Sequence, residues 1–138
     1  MIEQDNIALL RGAYRCWIDS NGDDIGCWTR LMADRVFFGS VGAGEAGIEY
    51  TRHRSDKAGV ARYLEDMRAT LDIVSLNMGE YIAEGSRVVV LGIGEFRNRA
   101  TGKTFTTPRA DVWRIEDERI VEFFGFYDTH KVISSTKP

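Results

Sequence analysis

The stretch GKTFTTPRADVWRIEDERIVEFFGFYDT, from Gly102 to Thr129, decides the fold. Successive side chains of a strand point to opposite sides, so Arg109, Asp111, Trp113 and Ile115 share one face and Ala110, Val112 and Arg114 the other. Trp113 and Ile115 are the bulkier apolar pair, and their face is predicted to look inward. Glu116-Asp117-Glu118 interrupts the run as a turn. A second apolar run follows, in which Phe124, Phe126 and Asp128 share a face. Two such runs around a short polar turn read as a hairpin.

The same period extends upstream. Residues 72–83, 87–99, 103–115 and 119–128 read as four long strands, joined at Glu84-Gly85-Ser86, Ala100-Thr101-Gly102 and Glu116-Asp117-Glu118. Three consecutive hairpins make an antiparallel meander. Before residue 72 the period is helical. Ile7, Leu10, Tyr14 and Trp17 form one apolar face of a first helix, which Ser20-Asn21-Gly22-Asp23-Asp24 ends. A short helix is predicted from about Ile25 to Met32, a strand over Arg35–Val41, and a Gly-rich loop over 42–54. A third helix runs from Ser55 or Asp56 to about Leu71, with Val60, Tyr63, Leu64, Met67 and Leu71 on its apolar face. Helices first and strands after is an α+β pattern. One domain is expected over about residues 4–130, followed by a short polar tail, with a cleft between helices and sheet where a ligand would sit.

Composition agrees with such a domain. The chain has 138 residues, 43% hydrophobic and 28% charged, with a formal net charge of −3. A chain of this size buries roughly 68% of its unfolded surface, which needs neither metal nor disulfide. The charge balance argues against nucleic acid as the main partner, because phosphate binding wants a clustered cationic surface. No run approaches the roughly 18 apolar residues of a membrane span. MIEQDNIALL lacks the basic and apolar regions of a signal peptide, so a cytoplasmic location is expected. In that setting Cys16 and Cys27 read as two buried free thiols. Together with His53 and His130 they lack the spacing of a metal site, and no dinucleotide or phosphate-loop motif is present, so neither metal nor cofactor is expected.

The block Gly102–Thr129 resembles the final hairpin of SnoaL-like proteins, a branch of the nuclear transport factor 2-like superfamily related to ketosteroid isomerase. Those proteins carry a Thr-Gly-basic turn, an aromatic-containing strand, a tight turn, and a strand ending in Tyr-Asp-Thr, here Tyr127-Asp128-Thr129. The N-terminal helix, the Asp-rich break, Ala33-Asp34 and the Gly-rich loop agree. The resemblance implies a cone, with three N-terminal helices on a curved, mainly antiparallel sheet that encloses a pocket over residues 1–138. It also implies a homodimer through the outer face of the sheet. It does not imply one activity, because this scaffold hosts isomerases, cyclases, hydrolases and non-enzymes. Two familiar catalytic sets do not carry over. In limonene epoxide hydrolase the last-strand aspartate falls on Asp128, but its Arg-x-Asp pair falls on Gly92 and Gly94, and its water-holding residues on Phe37 and Gly39. In ketosteroid isomerase the base falls on Gly39, while the protonated aspartate falls on or beside Asp111 and the tyrosine lies one residue from Tyr14.

Two carboxylates are therefore the candidates for acid–base work. Asp111 beside Trp113 would be partly desolvated, which suits proton transfer; Arg109 on the same face would instead make it half of an ion pair. Asp128 either projects into the cleft or caps the chain exit. Tyr14, Trp17, Trp28, Phe37, Trp113 and Phe126 are candidates for an apolar pocket wall. Glu95 either lines the cleft or pairs with Arg97. Gly92 and Gly94, unusual within a strand, leave room for a ligand or mark a bend. His53 and Arg54, in a cationic loop before a helix, either hold an anionic group at the pocket mouth or are solvated. The functional expectation is a cofactor-free enzyme of isomerase, cyclase or lyase type acting on an apolar, oxygenated ligand; the alternative is a non-catalytic ligand-binding or protein-interaction module.

Overall fold

In the computed structural model, residues 2–138 are described. Four α-helices, α1 (Ile2–Asp19), α2 (Gly26–Thr29), α3 (Lys57–Thr70) and α4 (Thr129–Ser135), accompany six strands. The strands are β1 (Met32–Ser40), β2 (Arg54–Asp56), β3 (Leu71–Glu84), β4 (Arg87–Asn98), β5 (Thr104–Glu116) and β6 (Arg119–Phe126). They form one sheet in the order β2-β1-β6-β5-β4-β3. Only β1 and β6 pair in parallel; the other neighbours are antiparallel.

Local chemistry sets the helix ends. After α1 the Gly22 N–H bonds the Trp17 carbonyl at 2.9 Å and the Asn21 N–H that of Ile18 at 3.0 Å. Asn21 has φ 54°, so this is a Schellman cap with asparagine in the left-handed position. The reversal lays α2 back against α1. The Asp56 side chain caps α3 by accepting from the Gly59 N–H at 2.8 Å.

The inner face of the sheet packs against α1, α2 and α3. Leu10, Ala13, Tyr14 and Trp17 of α1 meet Val88 and Val90 of β4 and Trp113 and Ile115 of β5 in one buried cluster. In register, Val88 faces Trp113 and Val90 faces Asp111, while Trp113 faces Phe123. The inward face of β6 is therefore Phe123 and Gly125, continued by Tyr127.

Two expectations need correction here. Cys16 and Cys27 are not free thiols; they form a disulfide. The cap after α1 brings their Cα atoms to 5.8 Å, within bonding reach. Asp24 lies beside them, completing a group of possible metal ligands, but the sulphurs are bonded to each other. The predicted second helix shortens to one turn, and Met32 opens β1 instead of closing that helix. Past the predicted strands, residues 129–135 form α4, whose Val132 is buried and whose Ser135 carbonyl accepts from Thr101 at 2.6 Å. Among the described residues, no helix is long and apolar enough to cross a membrane.

Candidate functional site

Between the helices and the inner sheet face lies a cavity of about 100 Å³. Its wall is mostly aromatic and aliphatic. Trp28 stacks on Trp113 with centroids 4.8 Å apart, and Phe38 on Phe123 at 4.5 Å. Trp17, Leu64, Phe96 and Phe105 extend the apolar lining. Against this wall the polar groups form two clusters.

The first cluster joins α1 to β5. Tyr14 donates its hydroxyl to Asp111 Oδ2 at 2.6 Å, and Trp113 Nε1 donates to the Tyr14 hydroxyl at 3.0 Å. Arg109 Nη2 donates to Asp111 Oδ1 at 2.8 Å. Asp111 is only 4% exposed, so this is a desolvated ion pair with a phenol on its second oxygen. Each carboxylate oxygen retains one further acceptor site. Burial, and then the Asp111 charge, pushes the Tyr14 phenol well above its ordinary value. Burial pulls the Arg109 guanidinium down, but the Asp111 charge and hydrogen bond lift it above the ordinary arginine range. Tyr14 is thus a neutral donor at physiological pH, and Arg109 a fixed cation.

The second cluster gathers hydroxyls. Tyr63 donates to Ser40 Oγ at 3.1 Å, and Ser40 Oγ lies 2.8 Å from the Tyr127 hydroxyl. The Gly42 N–H also donates to Ser40 Oγ, at 3.3 Å. Between Ser40 Oγ and the Tyr127 hydroxyl either group can supply the proton. Burial, above all, raises the Tyr50 and Tyr63 phenols. Arg109 links the clusters: its guanidinium carbon stands 5.1 Å from the centre of the Tyr127 ring.

The structure brings together Tyr14, Trp17, Trp28, Arg109, Asp111 and Trp113 around the cavity. It places the other candidates elsewhere. Phe126 is 45% exposed on the outer face, where its ring meets Phe124 at 5.0 Å. Phe37 lies on that face too, against Phe124 and 5.1 Å from His53. Asp128 caps α4 by accepting from the Lys131 N–H at 3.1 Å, and its own N–H binds Thr107 Oγ1. The alternation within β6 is as the sequence reads, but the face that holds Phe124 and Phe126 is the outer one, because Phe123 is the partner of Trp113. Glu95 stands opposite Thr106, one position out of phase with the inward Phe96–Phe105 pair, and so it faces outward. Arg54 is buried and directs Nε, Nη1 and Nη2 at the carbonyls of Arg52, Gly59 and Tyr50, which leaves it fastening that loop and not receiving an anion.

Gly92 and Gly94 leave room for protein atoms. A Cβ on Gly92 would stand 2.1 Å from the Asn77 carbonyl oxygen, where β3 bulges towards it. One on Gly94 would meet the Phe96 ring at 2.6 Å. Among the residues missing from the sequence-based set are Tyr50, Tyr127, Phe123 and Ser40, with Tyr63 visible there only as part of an apolar helix face. The readable signal for Phe123 and Tyr127 was alternation, once the inward partner of Trp113 is known.

The SnoaL-like domain model matches residues 10–123 of the chain. The chain belongs to the SnoaL-like family. No curated protein matches this SnoaL-like chain in sequence. Among solved structures it is similar to an NTF2-like protein from Burkholderia xenovorans, with 18% identity over 98% of each chain and a TM-score of 0.81. A second NTF2-like protein, from Burkholderia thailandensis, is 21% identical over 95% of this chain and 96% of that one, with a TM-score of 0.79. These likenesses establish the fold. TerC, co-crystallised with polyporic acid, is 25% identical over 94% of this chain and 98% of its own, with a TM-score of 0.75.

Proposed function

We propose that this SnoaL-like chain binds an apolar, oxygenated small molecule in its cavity and moves a proton on it without a cofactor, with Asp111 as the acid or base. The observation that carries this reading is the desolvated Asp111 on the cavity wall, held from one side by Tyr14 and from the other by Arg109. Buried polar groups that converge on an apolar pocket are the usual mark of a ligand site. The cocrystal of TerC with polyporic acid supports a small organic molecule as the kind of ligand. Two fixed donors hold the carboxylate in one orientation while each of its oxygens keeps an acceptor site, which is the preorganisation that proton transfer needs.

The test is hydrogen exchange at carbon. 2-Tetralone in D2O, followed by proton NMR, is expected to exchange the protons next to its carbonyl faster with the protein than without it. Asp111→Asn is expected to lower that catalysed rate at least about tenfold, since asparagine cannot take up a proton. Exchange at the buffer rate would leave the non-catalytic ligand-binding reading in its place.

The outer sheet face supports a second copy of the chain as partner. Phe37, Phe126, Ile93 and Ile82 are exposed there, flanking Phe124 and Val112. An apolar patch of this kind is uncommon on a monomer. A sedimentation experiment is expected to give a dimer at micromolar concentration, and Phe126→Glu a monomer. A parent chain that sediments as a monomer would remove the dimer.

A further inference from the structure

The Arg109 guanidinium has five N–H donors. Among the described residues, one hydrogen bond engages it, from Nη2 to Asp111 Oδ1. Nε and Nη1 are not among the sealed polar atoms that lack a partner, so they remain accessible. The side chain is 19% exposed and lines the cavity. Its position is fixed from three sides. Asp111 holds one nitrogen, the Tyr127 ring covers the group at 5.1 Å, and Gly125 leaves the slot beneath it, where a Cβ would stand 3.0 Å from Nη2. The cation is thus immobile, partly engaged, and set against a wall whose other charged member is Asp111.

A ligand that fills the cavity takes these donors out of contact with solvent. It must return acceptors to them, because a desolvated cation without acceptors is costly. Asp111 is already shared with Tyr14 and does not answer the free side of the guanidinium. The planar fork of an arginine matches a carboxylate, and a charge-assisted bond is about twice as strong as a neutral one. An ammonium or other donor group in the same place would face the Arg109 charge.

We propose that the ligand carries an anionic oxygen, as in an aromatic carboxylate, and that the free side of Arg109 receives it while the aromatic wall holds the ring. This rests on the reading that the cavity binds a small molecule, and it assigns Arg109 as the residue that selects the ligand's charge.

The test compares two probes of one shape by titration calorimetry at neutral pH and low salt: 2-naphthoate and 2-naphthamide. The parent protein is expected to bind the naphthoate at least about tenfold more tightly. Arg109→Gln is expected to bring the two within about threefold of each other, with the circular dichroism of the parent. Should that variant fail to fold for want of a partner to Asp111, Arg109→Lys keeps the charge but not the fork, and its preference is expected to fall between the two. Asp111→Asn is expected to widen the preference, because it removes the competing carboxylate. Equal or tighter binding of the amide by the parent, or a preference that survives Arg109→Gln, would overturn the inference and leave the binding cavity standing. Binding of neither probe would remove the cavity reading and this inference with it.

Discussion

The Tyr14 hydroxyl donates to Asp111 Oδ2 at 2.6 Å across 97 residues of sequence, and it accepts from Trp113 Nε1 at 3.0 Å. One phenol thereby joins the first helix to the third strand of the meander and fixes the carboxylate that faces the cavity. Tyr14→Phe leaves the shape but removes a bond to a charged group and strands the indole N–H. A loss of about 2–3 kcal/mol is expected from urea unfolding. A loss below about 0.5 kcal/mol would show that the bond has little structural weight.

The same phenol sets an alkaline limit. Tyr14, Tyr50 and Tyr63 all have folded-state values raised above the ordinary tyrosine value of 10, mainly by burial. Their contribution is fully present below pH about 10 and is lost as the pH rises towards the raised values, because only the unfolded chain releases those protons. Absorbance of tyrosinate near pH 11 is expected to show these three phenols still protonated in the folded protein and to jump on unfolding. Full ionisation of all five tyrosines of the chain without loss of structure would contradict this.

Gly92 tests whether the strand glycines serve a ligand or the fold. With a Cβ 2.1 Å from the Asn77 carbonyl, Gly92→Ala must push β3 and β4 apart. A destabilisation of about 1–3 kcal/mol is expected, as for overpacking elsewhere. Unchanged stability with weakened ligand binding would mean that the glycine makes room for the ligand after all.

The β5–β6 turn holds Asp117 at φ 50° and Glu118 at φ 63°, with Glu116 and Arg119 paired across it. A two-residue hairpin turn with both φ values positive prefers glycine at its second position. Glu118→Gly is expected to stabilise the protein by about 1 kcal/mol, the cost of a side chain in the left-handed region. A lowered melting temperature would argue against that turn geometry.

The disulfide makes a separate prediction. Cys16 neighbours Trp17, and Cys27 neighbours Trp28, both on the cavity wall. Closing this short loop is expected to contribute about 2–3 kcal/mol, so Cys16→Ser together with Cys27→Ser should lower stability by that amount and loosen α2. Titration of the unfolded, unreduced chain with a thiol reagent is expected to find no free thiol. Two thiols would restore the reading from sequence.

The fold was legible because its signals are local. Ile7, Leu10, Tyr14 and Trp17 repeat with the helical period, and Arg109, Asp111, Trp113 and Ile115 with the strand period, and neither pattern needs a partner to be seen. The order of the elements and the cleft followed from those periods, and the resemblance over Gly102–Thr129 then implied the cone. Which face of each strand looks inward is not local. Phe123 and Phe124 are alike as residues, and a register that pairs Phe123 with Trp113 sends Phe124 and Phe126 outward, since a shift of one residue exchanges the faces. The Cys16–Cys27 bond depended in the same way on a chain reversal after Trp17, and the role of Asp128 on a helix that follows it. By itself the sequence determined the periods, the turns and the carboxylate beside Trp113. Tertiary structure alone decided that this carboxylate meets Tyr14 and Arg109, because a hydrogen bond is fixed by the approach of two surfaces and not by the spacing of residues along either one.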